Sequence, residues 1–245
     1  MRVERYRGLA RVTAVILAGG LGTRLRTVVK DRSKTMATVH GRPFLTYLFD
    51  QLSAAGIREA VLCTGYMGDQ VRKELGATYN GLRLRYSQEE TPLGTAGAVR
   101  LAMPLVSSES ILVMNGDSYC SADLNKYWET HGRLGYEGSL LLTQVPDVSR
   151  YGSVKTSPGN RVLSFEEKGA ATGPGWINAG IYLFDRQMLE GIPQGTAVSM
   201  EREMWPQWIQ RGVGAHHAEA RFLDIGTPES YAETERFFAP LLQTA

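Results

Sequence analysis

The sequence predicts an α/β fold: a mixed, mainly parallel sheet flanked by helices, with a small β-rich elaboration behind it. Three observations carry this. Short apolar runs recur at 12–17, 59–64 and 111–114, each rich in Val, Ile and Leu and each stopping at a turn signal. Segments of helical periodicity separate them at the spacing of βαβ units, which favours parallel neighbours with helices on both faces. Beyond residue 145 the pattern changes to short strands joined by tight turns.

Residues 12–17 read as a buried strand that stops at Gly19-Gly20. Pro43 suits the first turn of a helix whose apolar face is Phe44, Leu45, Leu48, Leu52 and Ala55, and Gly56 closes it. A strand over 59–64 and a short helix over 69–75 follow. Residues 82–87 alternate apolar and polar as a half-exposed strand does. Residues 95–103 read as a helix, and 111–114 as a third buried strand running into Asn115-Gly116-Asp117. Asp123 reads as a helix N-terminus. Behind it, 152–155 and 161–166 flank the turn Pro158-Gly159-Asn160, 177–184 is a strand, 199–210 a helix and 221–224 a last strand. Thr227-Pro228 caps a final helix. No repeat or linker interrupts the pattern, so one domain over 1–245 is expected, with a front half of about 13–145 and a back half of about 146–237.

Composition narrows the function classes. At 43% hydrophobic and 21% charged residues, a core can form. A net charge of +2 gives no basis for nucleic-acid binding, and no apolar run is long enough to span a membrane. No secretory leader is visible at the N-terminus, so a cytoplasmic location is expected. Cys63 and Cys120 stand far apart with no histidine at ligand spacing, and read as buried reduced thiols. His40, His131, His216 and His217 share no ligand spacing. Trp205 and Trp208 read as core or subunit-contact residues, and Arg2, Arg5, Arg7 and Arg11 as a solvated arm.

The strongest chemical signal is the run Leu17-Ala18-Gly19-Gly20-Leu21-Gly22-Thr23-Arg24-Leu25 directly after a strand. Its glycines let the backbone approach an anion and turn amides towards it. Arg24 adds a guanidinium fork for phosphate oxygens, and Lys34 can bring a point charge to the same place. The spacing matches neither a Walker loop nor a dinucleotide fingerprint. Asp117 and Asp224 each stand at the end of a predicted strand, where open α/β sheets place their sites. Two aspartates with phosphate oxygens and water satisfy Mg²⁺.

The glycine run, with Lys34 in the segment Ser33-Lys34-Thr35-Met36, resembles the signature of the sugar-1-phosphate nucleotidyltransferase family. The prolines that flank the lysine in that family are missing here. The resemblance implies a Rossmann-like sheet of the nucleotide-diphospho-sugar transferase type, with a nucleotide half and a sugar-phosphate half. It implies nucleotide contacts from Leu17, Ala18, Gly19, Gly20, Gly22, Thr23, Gly94 and Thr95, a base-reading role for Glu89, and Mg²⁺ held by Asp117 and Asp224. It implies sugar-phosphate contacts from Gly152, Glu166, Lys168 and Asn178, with Arg24, Lys34, Asp117 and Lys168 as the catalytic set. The string Glu89-Glu90-Thr91-Pro92-Leu93-Gly94-Thr95-Ala96-Gly97 resembles that of mannose- and heptose-1-phosphate guanylyltransferases, and the block Gly41-Arg42-Pro43-Phe44-Leu45 the heptose branch. The partners so implied are GTP and a heptose 1-phosphate, with a GDP-heptose as product; nucleic acid and membrane are not among them, and a homo-oligomer is left open. Other readings are a uridylyl- or thymidylyltransferase on a hexose 1-phosphate and a non-catalytic relative that binds nucleotide sugars. A metal-dependent glycosyltransferase is disfavoured, because Asp117-Ser118-Tyr119 lacks the second aspartate of an Asp-x-Asp motif.

Overall fold

The computed structural model describes residues 8–166, 169 and 172–242. In chain order the front elements are β1 (Thr13–Leu17), β2 (Thr38–Val39), β3 (Arg42–Pro43), α1 (Leu45–Ala54), β4 (Glu59–Thr64), α2 (Gly68–Leu75), β5 (Thr78–Tyr79), β6 (Leu82–Gln88), α3 (Gly94–Ala102), β7 (Ser110–Asn115), β8 (Ser118–Cys120), α4 (Leu124–Leu134) and β9 (Gly138–Val145). Then follow β10 (Val154–Thr156), β11 (Val162–Phe165), β12 (Gly175–Asp185), α5 (Arg186–Glu190), a wide π-turn over Met200–Met204, α6 (Trp205–Arg211), β13 (Gly214–Ala218), β14 (Phe222–Asp224), α7 (Pro228–Ala232) and α8 (Thr234–Leu242).

The main sheet runs β13-β9-β12-β7-β1-β4-β6-β5. β1 pairs in parallel with both β4 and β7, and β4 with β6, so the mainly parallel core expected from βαβ spacing is present. β12 pairs antiparallel to β7 and β9, which makes the sheet mixed. β1, β4 and β7 are apolar between their end residues because both faces are covered. Ala14 and Ile16 of β1 face one core with Leu45, Leu48, Phe49 and Leu52 of α1, while Val15 faces the other with Val99, Trp205 and Trp208.

Several boundaries differ from the sequence reading. Pro43 does not open a helix: it lies in β3 opposite Thr38, and the helix starts at Leu45. A two-residue edge pairing tolerates a missing amide, and the Pro43 carbonyl instead accepts from Thr46 Oγ1 at 2.7 Å. The segment 199–210 is a π-turn followed by α6, because Pro206 has no amide to extend an α-ladder back through the turn. Thr227 does cap a helix through a capping box with Ser230, but that helix ends at Ala232 and α8 is separate. The long buried strand β9 and the edge strand β13 fall where the sequence reading assigned no element, whereas α4 starts at the helix N-terminus read at Asp123. Asp123 caps α4, its Oδ1 accepting from the amides of Asn125 and Lys126 at 2.9 and 3.1 Å. Trp205 and Trp208 lie in the core, and both thiols are buried and free.

The π-turn is tied to the start of α3. Val198 accepts from the amides of Ala96 and Gly97 and donates to Leu93. Gly94 has φ +69°, and a Cβ there would stand 2.6 Å from the Val198 carbonyl oxygen, so only glycine lets the two chains touch. Thr95 Oγ1 accepts from the Met200 amide at 2.7 Å and donates to Glu201 Oε2 at 2.9 Å. Thr95→Val therefore leaves the Met200 amide unpaired and leaves Glu201 Oε2 only its longer bond from Ser199 Oγ. It is expected to cost about 1–3 kcal/mol of stability in chemical denaturation, whereas Thr95→Ser keeps both bonds and most of the stability.

His131 of α4 is fully buried, with Nδ1 2.8 Å from Ser139 Oγ. Burial lowers its pKa from 6.5 to about 4. The unfolded chain therefore takes the proton first. The contribution is intact above pH 6.5 and is lost progressively as pH falls towards 4, by on the order of 3 kcal/mol. Denaturation midpoints of His131→Gln should be flatter with pH across that window than those of the parent protein.

Candidate active site

Parallel pairing of β1, β4 and β7 brings the carboxyl ends of all three strands to one edge of the sheet, where ligands of open α/β folds bind. Two cavities open there. The first, about 630 Å³, is lined by Leu17, Gly19 and Gly20 after β1, by Gly65 and Tyr66 after β4, and by Glu89, Gly94 and Thr95. The second, about 790 Å³, is lined by Arg24, Gly152, Glu166, Asn178, Arg202 and Asp224, among others. Lys34, Asn115 and Asp117 line both, so the two cavities meet at these side chains.

The glycine loop leaves backbone donors free, an arrangement that can take an anion. Among the described residues, the amides of Gly19 through Arg24 donate no hydrogen bond. The chain bends at Gly22, whose φ is +59°, and its carbonyl accepts from Leu25 and Arg26. A Cβ on Gly22 would stand 2.9 Å from Lys34 Cβ, so the lysine stem packs directly on the loop. Arg24 is exposed and its guanidinium has no protein partner among the described residues. Ala18, Gly22 and Thr23 line neither cavity: Ala18 is buried and bonded to the Cys63 carbonyl, Gly22 supports Lys34, and Thr23 faces solvent.

Glu89 lies on the floor of the first cavity. Its Oε2 accepts from the Leu93 amide at 2.9 Å, and its Oε1 stands where a Cβ on Gly19 or Gly65 would lie within 3.0 or 2.8 Å. The two glycines thus make room for the carboxylate. Tyr66, exposed beside it, carries the Arg26 guanidinium 4.1 Å from its ring centroid. The sequence reading passed over Tyr66. Its signal is the glycine-aromatic pair directly after a buried parallel strand, the same position relative to β4 that Gly19-Gly20 holds relative to β1.

The two aspartates, distant in sequence, are neighbours in space. β8 and β14 pair antiparallel with Asp224 opposite Ser118, and the Ile225 amide donates to the Asp117 carbonyl at 2.9 Å. Asp224 Oδ1 accepts from the Gly226 amide at 2.9 Å and from Ser230 Oγ at 3.1 Å; its Oδ2 has no partner among the described residues. Asp117 Oδ2 forms an ion pair with Lys34 Nζ at 2.6 Å. Gly226 faces this cluster: a Cβ there would lie 3.6 Å from both Arg24 Nη2 and Lys34 Nζ. Two cations and two carboxylates therefore surround one point. The described residues hold no group of three or more His, Cys, Asp or Glu able to bind a metal, so any ion here depends on two aspartates and on its ligand.

In the second cavity Glu166 and Asn178 are committed to the protein. Glu166 accepts from Ser153 Oγ at 2.7 Å and pairs with Lys155, and that lysine, then Ser153, holds its carboxyl below the usual range. Asn178 donates to Tyr182 Oη at 2.7 Å and accepts from the Gly180 amide at 3.0 Å. Gly152 lines the wall beside Tyr151, whose hydroxyl pKa is raised by burial and then by Asp224. Lys168 lies outside the described residues. Ser199, Glu201 and Arg202 complete the wall; the sequence reading gave them no role, because the π-turn that presents them has no period of its own. No thiol is available as a nucleophile: burial raises the Cys63 pKa far above neutrality and pushes Cys120 up to about 12. No helix among the described residues is long and apolar enough to cross a membrane.

The nucleotidyl transferase family model matches residues 13–239. The D-glycero-alpha-D-manno-heptose 1-phosphate guanylyltransferase of Aneurinibacillus thermoaerophilus is 35% identical over 91% of this chain and 96% of its own length. The mannose-1-phosphate guanylyltransferase of Mycobacterium tuberculosis is 36% identical over 94% of this chain and 66% of its own. Among solved structures, HddC from Yersinia pseudotuberculosis superposes with a TM-score of 0.83 at 34% identity, covering 93% of this chain and 99% of that one. The same protein has been solved with GMP-PN, with a TM-score of 0.82. A family match over nearly the whole chain, together with relatives aligned almost end to end, places this enzyme in the nucleotidyl transferase family.

Proposed function

We propose that the chain joins GTP to a heptose 1-phosphate, forming GDP-heptose and pyrophosphate. The observation that carries this is the meeting of two cavities at Lys34 and Asp117, one with the glycine loop and Glu89, the other with Gly152, Glu166 and Asn178. A nucleotide in the first and a sugar phosphate in the second would bring their phosphates together at those side chains. The choice of GTP and heptose is supported by the heptose 1-phosphate guanylyltransferase at 35% identity and by HddC, solved with GMP-PN. The front half, about 13–145, serves the nucleotide and the back half, about 146–237, the sugar phosphate, within one domain.

In this reading the loop amides and Arg24 hold the triphosphate. Glu89 accepts from N1–H and N2–H of guanine, with Gly94 leaving room beside it. Thr95 acts indirectly, by fixing the start of α3 to the π-turn. The sugar phosphate is already an anionic nucleophile, so no general base is needed. Its oxygen bonds to the α-phosphorus in line, the bond from that phosphorus to the α–β bridging oxygen breaks, and the electron pair leaves with pyrophosphate. Lys34 neutralises charge at the α-phosphate, and Lys168 holds the incoming phosphate against repulsion. Asp117 and Asp224 fit Mg²⁺: each brings one carboxylate beside the phosphate site, and Asp224 Oδ2 is uncommitted. When bound, the ion supplies charge neutralisation to the triphosphate.

Pyrophosphate release with Mg²⁺ across GTP, UTP and dTTP, each with mannose 1-phosphate or a heptose 1-phosphate, tests the reading. GTP with the heptose phosphate should turn over fastest. Preference for another pair would replace the substrates, and silence from folded protein across the panel would favour a non-catalytic relative. Glu89→Gln should reduce the preference for GTP over UTP in kcat/KM by about 10- to 100-fold, the value of a hydrogen bond to a charged group. Unchanged discrimination would remove Glu89 from base reading.

A further inference from the structure

The junction of the two cavities contains a contact that the reaction itself does not call for. Lys34 Nζ lies 2.6 Å from Asp117 Oδ2, and the lysine side chain is only 12% exposed against 41% for the aspartate. The lysine is held there from behind. Its Cβ packs on the Cα of Gly22, where an added methyl would lie 2.9 Å away, so the backbone of the glycine loop fixes where the stem starts. In front of it, Gly226 leaves open the space facing Lys34 Nζ, Arg24 Nη2 and Asp224 Oδ1. Arg24 carries the same charge at the same junction, but no bond joins it to Asp117 among the described residues.

An ammonium and a divalent cation compete for the same carboxylate oxygen. Any ion that takes Asp117 Oδ2 must part a charge-assisted hydrogen bond and then stand beside an unpaired ammonium. A triphosphate changes this. It offers the ammonium an anionic partner on the other side of the junction, frees Asp117, and brings oxygens that complete the shell of an ion which two carboxylates cannot hold alone. We propose that Lys34 blocks the divalent-cation site through Asp117 until a nucleotide draws it away, so that metal and nucleotide enter together. The inference rests on the assignment of Asp117 as a metal ligand made above. It assigns Lys34 a positioning role distinct from any charge it contributes to catalysis.

The test is Mn²⁺ binding measured by electron paramagnetic resonance on the folded enzyme without nucleotide. The parent protein should bind weakly. Lys34→Gln, which keeps a stem against Gly22 and loses the charge, should bind at least 10-fold more tightly, and Lys34→Met should agree with it. Arg24→Met removes an equal charge without freeing Asp117 and should gain less than 3-fold. Asp117→Asn in the Lys34→Gln background should erase the gain. Equal gains from the Arg24 and Lys34 variants would reduce the effect to general charge relief and overturn the proposal, as would no gain from either Lys34 variant. Should Mn²⁺ bind in the presence of a non-hydrolysable GTP analogue and depend on Asp117 while the Lys34 variants gain nothing, the block alone is wrong. If Mn²⁺ binding is independent of Asp117 with or without the analogue, the metal assignment falls and the block falls with it.

Discussion

The parallel pairing of β1 with β4 on one side and β7 on the other is the constraint on which the rest depends. Parallel strands in register end together, so whatever follows each one is delivered to the same edge. After β1 comes the glycine loop, after β4 Gly65-Tyr66, and after β7 Asn115-Gly116-Asp117. Three stretches with no sequence relation thus become the floor and walls of one cavity. The cost is that all three strands are buried on both faces, which is why they alternate between two cores and confine polar residues to their ends.

The second aspartate reaches the site by a different device. β14 is only three residues long, and its antiparallel pairing with β8 sets Asp224 across from Ser118, next to Asp117. The bond from the Ile225 amide to the Asp117 carbonyl extends that pairing into the acidic turn. The geometry of the two carboxylates is therefore a property of backbone pairing. Ser230, which also completes the capping box of α7, holds Asp224 Oδ1. A helix cap thereby serves the site as well as the fold.

Much of this was legible in the sequence because it is local. The glycine run, the apolar strands that precede it and Asp117, and the cap at Thr227 all depend on residues a few positions apart. Lys34 was found in register although its flanking prolines are absent, and it packs on Gly22 through the Cα of a glycine that the motif supplies. What sequence reading left out is non-local or lacks a period. β9 is buried on nearly every residue and so shows no alternation, and the π-turn at Met200–Met204 follows no standard repeat. The placement of Pro43 in a strand turned on a pairing with Thr38 that propensity does not encode. The Lys34–Asp117 contact joins residues far apart in the chain, and the Thr95–Glu201 contact more so. Charge and spacing pick out Lys34 and Asp117, and the resemblance picks out Thr95, but Glu201 goes unnamed and no local signal says which residues touch.

The two cavities differ in how much of their polarity is already used. Glu166 and Asn178 are each bonded through both ends to neighbouring protein groups, and Glu201 is held by Thr95 and Ser199. Such side chains are fixed before any ligand arrives and can recognise hydroxyls without first losing rotamer freedom. The glycine loop is the opposite case, with a row of amides that have no protein partner among the described residues; the Arg24 guanidinium, likewise unpartnered among them, lines the second cavity where it meets the first. Unpaired donors in an ordered loop favour an anion strongly, and a triphosphate is large enough to engage many of them at once. The asymmetry gives binding a direction. The side with unsatisfied donors gains most from occupation, and on the proposed reading a nucleotide there draws Lys34 from Asp117, while the preformed side takes the ligand that completes it.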